Sequence, residues 1–272
     1  MSKEHLWAKW MRDYLPRGPN TQQIGVRNFE TGARHTQPGP LDVKGDARSQ
    51  KLKVVCETCN NNWMSQLQAL AKPVLLPLIK GESQIIRGNE REILAIWATM
   101  FALVYETTAV DYPISPNVER ADFKRTKCPL PYWAYWCGAF DGLSSPAYHI
   151  GVFAQENVGP VVGVENATDA PRVHLTLFGA GKICFAVFGA NSHDGLRHFA
   201  PLIGPIVTRT GMMVRESLGR PRGFFQLWPA LSGDIDLTAL RTPSFSEADL
   251  FLLSSEVGYA LDTLLGDVHG RR

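Results

Sequence analysis

The residues of this chain best suited to chemistry lie within its first sixty positions. Glu4-His5 sets a carboxylate beside an imidazole, and Cys56-Glu-Thr-Cys59 sets two thiols three residues apart after the apolar run LKVV. A C-x-x-C at a strand end usually supplies half of a metal site. Asn60 follows at once and brings a carboxamide to the expected start of a helix. In this order the residues suit phosphodiester hydrolysis. That reaction needs a base to deprotonate water, and a divalent cation to stabilise the departing oxygen and the crowded phosphate. A neutral imidazole serves as base near pH 7, which gives His5 that role. A hard cation such as Mg²⁺ or Mn²⁺ prefers oxygen donors, which Glu4 and the amide of Asn60 offer. A helix start at Asn60 also favours phosphate.

Charge points to the same end of the chain. The net charge is only +2, yet ten Lys and Arg stand against six Asp and Glu between Met1 and Cys59. Lys9, Arg12, Lys51 and Lys53 are therefore expected to contact the phosphate backbone of a nucleic acid, DNA in the first instance. The alternative is an ordinary scatter of solvated side chains. Elsewhere the signals are weaker. His149, His174, His193 and His198 lack the spacing of a metal pair. FGAGK (178–182) lacks the length and the following Ser or Thr of a phosphate loop and reads as a hairpin turn.

The segments SKEHLW (2–7) and KVVCETCNNNWMSQL (53–67) resemble those of bacterial and phage HNH-endonuclease-like proteins. Such proteins carry an E-H dipeptide near the N-terminus and a V-C-x-x-C-N-N-x-W-M-S-x-L element. The resemblance implies a ββα-metal module with His5 at the general-base position and Glu4 and Asn60 at the catalytic-cation positions. It also implies that Cys56 and Cys59 supply half of a structural Zn²⁺ site. A tetrahedral zinc site takes four ligands. The second C-x-x-C that family members carry upstream of E-H has no room here, so it is expected to lie before Met1 or to have been lost. Asn20 and Asn28 are candidates for the middle asparagine. Two functions follow as expectations: an HNH-type metal-dependent endonuclease, or a catalytically degenerate relative that binds nucleic acid or protein.

These residues need a scaffold, and the sequence predicts an α+β fold in three parts. Residues 1–72 would form the HNH-like ββα module, 73–112 a helical connector, and 113–272 a β-rich mixed domain closed by a helix. The apolar spacing of Leu6, Trp7, Trp10, Met11, Tyr14 and Leu15 predicts a helix over 4–15, capped by Ser2 and stopped by Pro16. Residues 17–50 read as a long loop or irregular hairpin, 51–56 as a strand, and 61–71 as a helix ending before Pro73. Residues 89–107 read as a buried helix, and 111–131 as a Pro-rich connector and domain boundary. From 132 to 230, short aromatic and β-branched runs predict strands. Ser246 and Asp249 predict a capping box for the last helix. No apolar run reaches the roughly 18–20 residues that span a bilayer. Five unevenly spaced cysteines and a charged N-terminus point to a reducing cytoplasm.

Overall fold

Alternation of apolar side chains along the strands builds the centre of the molecule. The computed structural model describes residues 2–17, 22–28, 34–38, 48, 51–82, 84–107, 115, 117–153, 172–192, 225–228, 235–236 and 244–255. Four strands, β6 (Trp133–Ala139), β7 (Ala147–Phe153), β8 (Arg172–Ala180) and β9 (Ile183–Ala190), form an antiparallel group in the order β6-β9-β8-β7. The strand β10 (Phe225–Trp228) joins β6. A hairpin of β2 (Gln22–Asn28) and β3 (Arg34–Pro38) extends the other edge, where β2 runs parallel to β7. The protein is thus a mixed α+β fold. Successive side chains on a strand point to opposite faces. Trp133, Tyr135, Phe178, Phe185 and Val187 enter one core, while Trp136, Leu175, Leu177, Ala186 and Phe188 enter another. Both faces of the sheet are covered, so β6 and β9 are buried throughout and read as continuous apolar runs.

One face packs against two helices, α2 (Ser65–Lys80) and α3 (Gly88–Glu106), and against Leu6 and Trp7. Trp97 and Phe101 of α3 meet Phe178 at ring distances of 5.8 and 3.9 Å. The other face is covered by Phe245, Leu250 and Leu253. The expected capping box is present there: Asp249 accepts from the backbone and hydroxyl of Ser246, each at 2.7 Å, and its N–H donates to that hydroxyl. The β8–β9 turn falls at Gly181-Lys182, where Gly181 has φ +63° and glycine avoids the left-handed penalty. Lys182 N–H then donates to the Ile79 carbonyl, one of the orphan acceptors near the end of α2.

Three expectations are corrected. Residues 4–15 are not one helix. Ser2–His5 is a strand, β1, and only a 3₁₀ turn at Lys9–Met11 follows. The reason is a distant partner: β4 (Lys51–Val55) pairs antiparallel with β1 and satisfies its backbone. Second, the helix after the cysteines does not stop at Pro73. It passes Pro73 and Pro77 and ends at Gly81, a left-handed cap with φ +75°. Burial of Ala71, Val74, Leu75, Leu78 and Ile79 outweighs the hydrogen bonds that the two prolines cannot make. Third, the Pro-rich stretch holds a helix, α4 (Asn117–Thr126), anchored by the buried Phe123. The short strands β5 (Ile85–Ile86) and β11 (Ile235–Asp236) pair with each other. The strand expected at 160–165 lies outside the described residues. No helix among the described residues is long and apolar enough to cross a membrane.

Candidate functional site

The pairing of β1 with β4 positions the first group of candidates. His5 stands directly opposite Lys51, Glu4 opposite Leu52 and Ser2 opposite Val55, with a bulge between Ser2 and Glu4. Directly opposed residues share a face with Cβ atoms about 5 Å apart, so His5 and Lys51 are neighbours. Lys9 and Arg12, from the 3₁₀ turn and its C-cap, add their charges. The His5 pKa lies below its ordinary value. Partial burial is the main cause, followed by Lys51, Arg12 and Lys9, which each repel an imidazolium. The result is a neutral, half-buried imidazole in the field of three cations, whose buried Nδ1 has no hydrogen-bond partner among the described residues. Such a place favours an anion. The side chains of Glu4 and Lys53 lie outside the described residues.

Cys56 and Cys59 form a second group. They follow Val55, at the end of β4 that pairs with Ser2 rather than with His5. Four strand residues at about 3.3 Å each put roughly 13 Å of β4 between the Val55 and Lys51 positions. Cys56 caps the short helix α1 (Glu57–Cys59), and its sulfur accepts from Cys59 N–H at 3.1 Å. Asn60 is therefore not the cap expected from sequence. It lies inside the first turn and donates its N–H to the Cys56 carbonyl at 3.0 Å. A π-helical turn, Asn60–Met64, joins α1 to α2; such turns often occur at functional sites. The two sulfurs lie 2.6 Å apart, with Cys56 exposed and Cys59 half-buried. The Cys56 pKa is lowered, first by hydrogen bonding from the Cys59 side chain and backbone; a slight desolvation opposes this and Lys124 assists.

A tetrahedral zinc site takes four ligands, of which Cys56 and Cys59 would be two. Among the described residues no group of three or more His, Cys, Asp or Glu could hold a metal ion. Beside the pair a cavity of about 220 Å³ opens, lined by Cys56, Cys59, Trp63, Met100 and Phe123, with Lys124 among its polar residues.

A third group had no sequence signal at all. Glu106 at the end of α3 is fully buried; Arg120 of α4 bridges it at 2.7 Å, and Ser115 N–H donates to it at 2.6 Å. Burial pushes the Glu106 carboxyl up, but Arg120, His149, His174 and Ser115 together bring it below its ordinary value. His149 and His174 sit diagonally across β7 and β8, with ring centroids 5.4 Å apart. His149 Nδ1 meets the Thr176 hydroxyl at 2.8 Å, while neither nitrogen of His174 has a hydrogen-bond partner among the described residues. Burial dominates at His174 and takes its pKa down to about 3; Glu106 opposes this, and His149 and Arg120 add to it. The sign follows from linkage. The unfolded chain, with the ordinary value near 6.5, binds the proton that the folded state refuses, so stability is fully present above pH 6.5 and declines toward pH 3. At pH 4 the loss from this group is expected to be about 3 kcal/mol. Urea unfolding at pH 7 and pH 4 checks it, and His174→Leu should flatten the difference.

The structure thus sets His5 opposite Lys51, in the field of Lys9 and Arg12, and the two cysteines beyond the other end of β4. The buried Glu106 group was missed because its partners, Arg120, His149 and His174, are remote in sequence. Trp7, Met64 and Leu67 are core as expected, whereas Trp63 is half-buried against Phe123. Compared with family models, curated proteins and solved structures, the chain matches none.

Proposed function

We propose that this chain is an HNH-type endonuclease that hydrolyses DNA phosphodiester bonds, with His5 as general base. In this reading β1, β4 and the helix that follows form the ββα module. One observation carries it: a neutral imidazole stands on β1 opposite Lys51, in the field of Lys9 and Arg12. The three cations would hold a phosphate and take up charge as it develops in the transition state. The imidazole would accept a proton from the attacking water at its unprotonated nitrogen. A divalent cation of the kind implied by the resemblance would supply Lewis-acid stabilisation. The described side chains around His5 are cationic and do not by themselves fit one. The proton transfer is therefore assigned to His5, and dependence on Mg²⁺ or Mn²⁺ becomes the variable of the experiment.

The test is nicking of supercoiled plasmid by purified protein, with and without Mg²⁺ or Mn²⁺, beside His5→Ala. Equal cutting by both proteins would remove His5 as base. Binding without metal-stimulated cutting would select the degenerate relative, for which the same three cations suffice. Salt dependence measures their part separately. Three phosphate contacts give a slope of log K against log salt of about −2.7, and Lys51→Ala is expected to reduce it by about 0.9. An unchanged slope would place the nucleic acid elsewhere.

A further inference from the structure

A second place suited to a ligand lies at the other end of β4 from His5, and it stands independently of the hydrolytic reading. We propose that the cavity bounded by the π turn, the end of α3 and α4 binds a small aromatic carboxylate: one flat ring with a single negative charge. Its volume of about 220 Å³ exceeds the roughly 150 Å³ of an apolar cavity that takes up benzene, so one ring with one substituent fits. Trp63 and Met64 of the π turn, Met100 of α3 and Phe123 of α4 supply apolar walls. Trp63 and Phe123 meet edge to face at 5.6 Å, so the two aromatic walls brace each other. The two methionines adapt their shape to a guest and make favourable sulfur contacts with an aromatic ring. An aromatic body therefore gains more here than a polar one.

The charge of the walls selects an anion. Two cations, Arg120 and Lys124, line the cavity, and no Asp or Glu does. Arg120 is matched by Glu106, its partner at 2.7 Å. Lys124 is exposed and joins no ion pair among the described residues. The surplus is one positive charge, which suits one negative charge on the ligand. Arg120 spends three of its five N–H groups on the Ser115 and Leu103 carbonyls and on Glu106. The other two have no partner among the described residues, and the planar guanidinium matches a planar carboxylate. The ring then lies against Trp63, Met100 and Phe123, with its carboxylate toward Arg120 and Lys124. Burial of the ring removes apolar surface of both partners from water. The charge stays beside exposed Lys124 in contact with solvent, so its desolvation costs little.

The experiment uses the full chain, labelled with ¹³C at its methionine methyls, and two probes: benzoate and its neutral isostere benzamide. Of the six methionines, Met64 and Met100 line the cavity; Met11, fully buried and not part of the lining, serves as reference. Met64→Leu and Met100→Leu, which conserve volume, assign the two signals. Benzoate is expected to shift both signals, to leave Met11 in place and to saturate at about 1 mM or below. Benzamide should bind at least about tenfold more weakly, because it lacks the charge. Lys124→Glu alters an exposed side chain, so the fold stands. That variant is expected to lose at least about tenfold in affinity for benzoate and to keep its affinity for benzamide. No shift of Met64 and Met100 up to about 10 mM benzoate, or equal shifts at Met11, would overturn the proposal. So would equal affinities for the two probes, or a Lys124→Glu variant that binds benzoate as well as the wild type. Shifts produced by a single-stranded oligonucleotide and not by benzoate would also overturn it, since the cavity would then serve a nucleic acid.

Discussion

Replacing His5 with alanine is expected to slow metal-stimulated DNA cleavage by about 10²–10⁴-fold, the usual worth of a positioned general base. The variant should still bind DNA, because Lys9, Arg12 and Lys51 remain. The pH profile of kcat/KM tests the assignment further. This profile reports groups of the free enzyme. The pKa of His5 is lowered, first by burial and then by Lys51, Arg12 and Lys9. The active neutral form therefore persists below the ordinary value near 6.5, and the rate should fall only as pH drops through the lowered pKa. Lys51→Ala removes one repelling charge and should move that acid limb back upward. Unchanged cleavage in His5→Ala, or an acid limb above 6.5, would exclude His5 as base.

Replacing Arg120 with methionine is expected to lower the stability of the fold by about 3–5 kcal/mol, because it leaves a buried charge without its partner. Glu106 is 1% exposed and Arg120 22% exposed, so water offers the carboxylate little compensation. Arg120 also donates to the Leu103 carbonyl at 2.9 Å, and that bond is lost with it. The loss should depend on pH. In the wild type Arg120 helps hold the Glu106 carboxyl below its ordinary value, and the stability this contributes is lost only as pH falls through that lowered value. Without Arg120, burial prevails and the carboxyl is raised; the variant then loses stability as pH rises from about 4.5 toward 7. The penalty should be largest at neutral pH and smallest in acid. Glu106→Gln combined with Arg120→Met removes both charges and should recover part of the loss. Urea unfolding of the three proteins at pH 4.5 and pH 7 measures this; a penalty that ignores pH would mean that Glu106 is not charged in the native state.

Local pattern was legible wherever one element met its own requirements. The helix at 89–107 appears as Gly88–Glu106, its apolar residues buried around the ring of the helix. The runs YWAYWCGAF, AYHIGVFA and LTLFGAGKICFAVF became β6, β7 and the β8–β9 hairpin. Their β-branched and aromatic content, with glycine at the turn, marks strands without help from elsewhere. Of the long loop or irregular hairpin expected over residues 17–50, β2 and β3 form a hairpin, but its attachment to β7 carried no mark in its own sequence.

The sequence by itself determined the central strands of the sheet, the long helix α3, the Ser246–Asp249 cap and the local basic excess near the N-terminus. Each depends on neighbours a few residues apart. Only the tertiary structure decided that SKEH is a strand, since its backbone finds partners in Lys51–Val55. It alone decided that α2 survives two prolines, since the compensation comes from burial against other elements. And it alone set His5 opposite Lys51, and Glu106 with Arg120, His149 and His174. Charges and buried polar groups select partners through space, and spacing along the chain does not encode that choice.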